Sequence, residues 1–395
     1  MNKRKQNRKF YLKLVAACSL LCCALLCGCV SGASKNGGTV GETSENGKKK
    51  VIATLFPYYD FARQIGAEYI DLTMVIPAGM DSHSFEPTPK DMITIQQADL
   101  VLCNGGEMEQ WLTQVLEAAE SDTRMVVRMM DFVDVYEEEV VEGMEDSGHH
   151  HADSELGDTE HRHEGSNHDD DEEEHHDEEN YHEEEHDHEE HGDGHEEYHE
   201  EEHDHEEHDH AHDDDSLHIE YDEHIWTSPA NAVRIVTEIA HALCELDPAH
   251  TEQYQARAAS YKEELMQIDR EIHEVVDASS NHTLVVADKF PFRYFAEEFG
   301  LKYYAAFTGC SADTEPSAKT IAFLIDKVKR EKIPAVYYLE LSSSRVAEIL
   351  QEETGAQPLL LHSCHNVTRL EFDSGITYAE LMRRNIEALK IGFSE

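Results

Sequence analysis

Imidazole and carboxylate side chains crowd into one part of this 395-residue chain. From His149 to His212, 64 residues hold 19 histidines and 30 aspartates or glutamates, against one basic residue, Arg162. Neutral imidazoles are borderline-soft nitrogen donors suited to zinc, copper and nickel, and the carboxylates add oxygen donors and a negative field that gathers divalent cations. An acidic run that served only solubility would not need the histidines. A stretch this polar cannot bury enough apolar surface to offset its ordering entropy. Residues 142–222 are therefore expected to form a disordered, metal-binding insertion.

Two histidines outside that tract stand in more structured company. His83 lies in Gly79-Met-Asp-Ser-His83-Ser-Phe-Glu86-Pro-Thr-Pro89, a loop that follows a strand and is pinned by prolines. His224 lies in His224-Ile-Trp226-Thr-Ser228-Pro229, just before a helix start of Ser-Pro type. A loop histidine by itself is usually an ordinary surface residue. Strand-to-helix junctions, however, are where open α/β sheets place their ligands.

The elements that must hold these residues alternate between strand and helix. Short β-branched runs at Val51–Leu55, Leu72–Ile76, Leu100–Cys103 and Met125–Met129 read as strands, separated by helices at Tyr58–Ile65, Pro89–Ala98 and Glu107–Glu120. Beyond the tract, Pro229–Cys244 reads as one helix, and Asp247-Pro248 is expected to cap a long helix running to about Val276. A second series follows, with strands at Thr283–Ala287, Tyr303–Ala306, Ala335–Leu339 and Pro358–Leu361 and helices at 317–329, 343–354 and 378–389. This pattern predicts an α/β fold of two lobes, each a mostly parallel sheet flanked by helices, joined by a long rigid helix. The expected divisions are an N-terminal lobe at 51–141, the insertion at 142–222, the lobe's end and linking helix at 223–281, and a C-terminal lobe at 282–395.

Lys3, Arg4, Lys5, Arg8 and Lys9 precede an apolar run, Leu14–Leu26, that closes on Leu26-Cys27-Gly28-Cys29. This reads as a lipoprotein signal peptide over residues 1–29, with Cys29 the lipidated residue and a flexible tether over 30–50. The apolar run is too short to span a bilayer comfortably. The formal charge of −52 disfavours nucleic acid as a partner, because phosphate binding needs the opposite sign. Of nine cysteines, Cys103, Cys244, Cys310 and Cys364 lie beyond the leader. Cys310 and Cys364 fall in second-lobe loops after strands expected to be neighbours, which suggests a disulfide between them in an exported protein.

The flanks of His83 and His224 resemble the zinc-binding family of ABC-importer solute receptors. The likeness runs from about Val51 to Leu389 and continues through Ala98-Asp99-Leu100, Asn104-Gly105, Glu109-Gln-Trp111-Leu112, Asp247-Pro248, Tyr294-Phe295, Phe299-Gly300-Leu301 and Glu315-Pro316-Ser317. A histidine-rich acidic insertion between the first two ligand histidines is also a family feature. The resemblance implies a receptor with one buried metal at the lobe interface, working with a membrane permease. Two positions depart from the family pattern. Lys289, beside Asp288, stands where a third histidine is expected, and His362 stands where an acidic ligand is expected. The expected set is thus His83, His224 and His362, with Asp288, Glu109 or water in fourth place. His362 could instead be a surface residue, and His365 is a competitor.

Three imidazoles suit zinc better than manganese, which prefers oxygen donors, although copper and nickel remain chemically possible. The expected function is an extracytoplasmic, lipid-anchored, monomeric Zn2+ receptor without catalysis. The tract would collect metal at many weak sites and pass it to the tight one. Alternatives are a surface zinc-buffering or adhesion lipoprotein and a manganese receptor of the same family. A metallohydrolase lacks support, since no His-Glu-x-x-His helix occurs and the pair His241 and Glu245 has the spacing of a solvated helix face.

Overall fold

The computed structural model describes residues 47–118, 124–144, 220–311 and 315–394. The expected signal peptide with Cys29, nearly all of the tether, and residues 145–219 of the histidine-rich tract lie outside the described residues. Among the described residues, no helix is long and apolar enough to cross a membrane. Both lobes belong to one compact unit, Lys49–Glu395, while the unit Met1–Lys48 is described only at its last two residues.

The first lobe runs β1 (Lys49–Ala53), α1 (Phe56–Gly66), β2 (Ile70–Met74), α2 (Pro89–Gln96), β3 (Leu100–Cys103), α3 (Gln110–Ala118) and β4 (Met125–Arg128). Its four strands are all parallel, in the order β2-β1-β3-β4. Val51, Leu100, Val101 and Leu102 are fully buried, as expected of strands covered on both faces. Thr88 and Asp91 form a reciprocal capping box at the start of α2, with Pro89 in its first turn. That start fixes the far end of the loop bearing His83.

The chain then passes through α4 (Pro229–Leu246) and α5 (Thr251–Asp277), the 27-residue linking helix. Tyr254, Ala258, Tyr261, Leu265, Ile268, Ile272 and Val276 recur every three or four residues on α5 and are buried, giving it one apolar stripe. Asp247 does not cap this helix as expected. Its carboxylate instead takes the hydroxyl of Tyr254 at 2.9 Å and lies 2.6 Å from His250 Nδ1.

The second lobe comprises β5 (Thr283–Phe290), α6 (Arg293–Phe299), β6 (Lys302–Thr308), α7 (Ala318–Glu331), β7 (Ala335–Tyr338), α8 (Arg345–Thr354), β8 (Gln357–Leu360), α9 (Arg369–Ser374) and α10 (Tyr378–Gly392). Its parallel sheet has the order β6-β5-β7-β8. The short helices α6 and α9 were not expected from periodicity. Seven and six residues are too few to show a helical repeat.

One buried carboxylate ties the lobes together. Asp60 on α1 accepts from the Tyr261 hydroxyl of α5 at 3.2 Å and from the Tyr378 amide of α10 at 2.8 Å. Arg63 pairs with Asp60 and also donates to the Ile376 carbonyl at 2.6 Å. The expected edges of the insertion belong partly to this body. Glu137 and Tyr221 form an antiparallel bridge, with Glu138 N donating to Glu220 O and Asp222 N to Tyr136 O, each at 2.9 Å. The chain enters and leaves the tract side by side.

Candidate metal centre

His83 sits in a single helical turn, Ser82–Ser84, whose N-cap is Asp81. The Asp81 carboxylate accepts the His83 amide at 3.1 Å, which holds the loop in shape at the end of β2. His224 is itself the N-cap residue of the turn Ile225–Thr227 and is buried. Its backbone N–H donates to Asp222 Oδ1 at 2.8 Å, and its ring Nδ1 lies 3.2 Å from the same oxygen. With Nδ1 committed to Asp222, Nε2 is the nitrogen left for another partner.

The third histidine of the group is His365, on the loop after β8. His83, His224 and His365 each offer a ligand atom, and these atoms lie within 4.8 Å of one another. Their ring centroids are 5.5 to 6.0 Å apart. Trp226 braces the group, since its ring lies 5.5 Å from that of His224 and 5.1 Å from that of His365. Beside the histidines is a cavity of about 180 Å³, also lined by Asp288, Lys289, Gly309, Glu340 and Ser342. Those residues lie at the carboxyl ends of β5, β6 and β7, where a parallel sheet presents its ligand crevice. Gly309 approaches so closely that an added Cβ would stand 2.9 Å from the Phe290 carbonyl and 3.1 Å from His224 Nδ1.

The electrostatics leave two of the rings ready to donate. Burial, followed by the charge of His224, pushes His83 down to about 4 against the opposing charge of Asp81. Burial likewise holds His365 well below the usual histidine range, with His224, His83 and Lys289 adding to the effect. For His224, burial alone would lower the value, but Asp222, Glu223 and Glu138 outweigh it and raise it. Positive charge is therefore favoured at the His224 side, while the His83 and His365 rings are kept neutral, the form in which an imidazole nitrogen can bind a metal. The donor set of three imidazoles fits zinc, which accepts nitrogen ligands in tetrahedral sites.

His362, expected as the third ligand, lies outside this group. Its ring is buried beside Phe292, Phe295 and Met382, its Nδ1 accepts the Cys364 amide at 2.9 Å, and Asn385 clasps its backbone from both sides at 2.8 Å. The 3.4 Å approach of Glu340 to the same Nδ1 is then no ion pair, because that nitrogen already uses its lone pair on an amide. The reversal comes at Cys364, whose φ of 60° turns the chain so that residues 362 and 365 face different ways. Asp288 and Lys289 do reach the cavity wall, yet neither belongs to the close group. Glu109 is buried away from it and accepts the amides of Asn104 and Gly105 at 2.7 and 3.0 Å, with burial pushing it up to about 7.

Cys310 and Cys364 are separate thiols, so the expected disulfide is corrected. β6 and β8 occupy opposite edges of the sheet with two strands between them. Three strand spacings are roughly 14 Å, far beyond the ~5.5 Å Cα separation a disulfide needs. Three further residues act here without having been expected. Asp222 was hidden in the acidic run, although its place two residues before His224 is a usable signal. Glu340 accepts both the amide of Ser363, at 2.8 Å, and its hydroxyl, and Ser363 Oγ in turn takes the His365 amide at 3.2 Å. Ser82, next to His83, is joined to His365 Nε2 at 2.5 Å, and nothing local in the sequence announces that pairing.

The family model described as "ZnuA: Zinc-uptake complex component A periplasmic" matches residues 51–392. The chain is 29% identical over 380 residues to the high-affinity zinc uptake system protein ZnuA of Bacillus subtilis, covering 96% of each protein. It is 26% identical over 345 residues to the zinc-binding lipoprotein AdcA of Streptococcus pneumoniae, with 87% of this chain matching 56% of that longer protein. Among solved structures, the Zn(II)-bound ZnuA-like domain of Streptococcus pneumoniae AdcA superposes with a TM-score of 0.61 at 23% identity, covering 88% of this chain and all of that one. That likeness is one of fold.

Proposed function

The chain belongs to the family of the periplasmic zinc-uptake component, ZnuA, and from that premise we propose that it is an extracytoplasmic receptor that captures Zn2+ and delivers it to the permease of an ABC importer. The observation that carries this reading is the convergence of His83, His224 and His365 from three separate loops onto one cavity. His83 comes from the first lobe, His365 from the second, and His224 from the segment that leads into α4. A cation held by all three draws the lobes' facing loops onto a common centre. Such a site binds and releases its metal, and nothing in it is required to transform a substrate.

The relatives' zinc-related names support the choice of metal, and so does a donor set of three imidazoles without a carboxylate. On this reading Cys29 carries a lipid that anchors a monomer to the outer face of the cytoplasmic membrane. The histidine-rich tract raises the local concentration of zinc near the buried site. Residues 145–219 are a division suited to that role, because residues 136–138 pair with 220–222, Tyr294 bonds both edges, and Glu142 pairs with Lys327 at 2.8 Å.

Titration of zinc into the full chain and into a variant lacking residues 145–219, in competition with a chelator, tests the proposal. A receptor keeps one tight zinc after the deletion and loses only weaker sites. Loss of tight binding with the tract would instead make the tract the working part and the protein a buffer.

A further inference from the structure

Zinc in a protein site takes four ligands, and the close group supplies three. The fourth position has to be filled from the cavity. Among the described residues three carboxylates line that cavity, and each is engaged through at least one oxygen. Asp81 accepts the His83 amide at 3.1 Å, and Glu340 accepts both the amide and the hydroxyl of Ser363. Asp288 accepts the amide of Lys289 at 2.8 Å. None of the three reaches the histidine group closely enough to belong to it.

Among the described residues Lys289 is the one lysine or arginine on the same wall. It stands near the end of β5, beyond an irregularity in the pairing of β5 with β6 between Val286 and Lys289. Its positive charge is felt at both rings, at His83 behind burial, His224 and the opposing charge of Asp81, and at His365 behind burial, His224 and His83. An ammonium group on the wall of a metal site is repulsive to the metal and attractive to an anion that binds the metal. A cavity of about 180 Å³ has room for a small oxyanion.

We propose that the fourth zinc ligand is a small exogenous oxyanion of the carboxylate or carbonate class, held between the metal and the Lys289 ammonium. One anion oxygen completes the tetrahedron, and another accepts a charge-assisted hydrogen bond from Lys289. The ammonium that looks like a defect in a metal site thus becomes the recognition element for the co-ligand. Zinc capture becomes dependent on the anion as well as on the metal. The inference rests on the three-histidine reading above.

Cobalt(II) reads it directly, because tetrahedral cobalt has strong visible bands that move when a ligand changes. One equivalent of cobalt is added to the full chain in carbonate-free, non-coordinating buffer at pH 7, and acetate or bicarbonate is titrated in. The expected result is a saturable spectral shift whose midpoint rises about tenfold or more in Lys289→Ala and stays near wild type in Lys289→Arg. No shift in the wild-type chain, or an equal midpoint in Lys289→Ala, overturns the proposal. Loss of the tetrahedral bands in Asp288→Asn overturns it too, by making Asp288 the fourth ligand. Bands that survive His365→Ala would show that the three-histidine reading has failed, and this inference with it.

Discussion

Trp226 Nε1 donates a hydrogen bond of 2.9 Å to the carbonyl of Ser363. Trp226 follows His224 by two residues, and Ser363 precedes His365 by two. The bond therefore ties the segment that carries one histidine to the loop that carries another, and Tyr378 returns the tie by donating to the Trp226 carbonyl at 2.7 Å. Both partners are buried, so water cannot replace the bond.

Trp226→Phe should preserve much of the packing and lose this one donor. A buried carbonyl left without a partner costs about 1–3 kcal/mol. Chemical denaturation of the metal-free protein should report a loss in that range, and zinc affinity should fall several-fold because His365 is less well held. Unchanged stability and affinity would mean that the contact holds nothing in place.

Glu340→Ala should weaken zinc binding by roughly 10- to 100-fold, the usual effect of removing a group that orients a metal ligand. Glu340→Gln keeps one carbonyl acceptor for Ser363 and should recover most of that loss. Competition titrations of the two variants side by side make the comparison. Equal losses in both would point to the negative charge rather than the hydrogen bonds.

The pH dependence of zinc affinity follows from the three histidines. In the metal-free protein His83 stays neutral down to about 4 and His365 lies well below the usual range, so neither has a proton to release near neutrality. His224, raised by its carboxylate neighbours against the effect of burial, is the ring that must lose one. Affinity should rise about tenfold per pH unit between pH 5 and 6, reflecting one displaced proton, and flatten above the raised value of His224. A slope near three protons in that range would contradict the buried, neutral state of the other two.

The sign for stability of the metal-free body is the opposite of a simple salt-bridge case. His224, with a raised value, stabilises the folded state below the unfolded histidine value of ~6.5, and that contribution is lost as pH rises through its folded value. His83 and His365, with depressed values, do the reverse, because the unfolded chain takes up protons below ~6.5 that the folded chain refuses. Two rings outweigh one. The contribution of these rings, read as the melting profile of the metal-free wild type less that of a His83→Gln/His365→Gln double variant, should decline from pH 7 towards pH 4.5, while buried carboxyls held high, such as Glu109 at about 7, act with the opposite sign in both proteins.

The strands and the long helix were legible because burial on both faces of a parallel sheet demands continuous apolar runs, as in Leu100–Cys103. His83 and His224, which the structure brings into one close group with His365, stand out in the sequence through the flanking motifs they share with the family. His362 and His365 could not be told apart, since both stand in an irregular loop where no periodicity assigns a face. The deciding feature is the positive φ of Cys364, a conformation no glycine or asparagine announces. Asp222 was obscured for a different reason, because one buried acid looks like its many neighbours in an acidic run.

The central claim is that His365, and not His362, is the third zinc donor. Competition against a zinc chelator at pH 7, with the wild-type chain, His365→Ala and His362→Ala, measures it most directly. Removing one donor from a four-ligand site should weaken binding by about 100-fold. The account predicts that loss for His365→Ala, with His362→Ala remaining within tenfold of wild type while losing about 2 kcal/mol of folding stability from its buried position. A full loss of affinity in His362→Ala together with none in His365→Ala would contradict it.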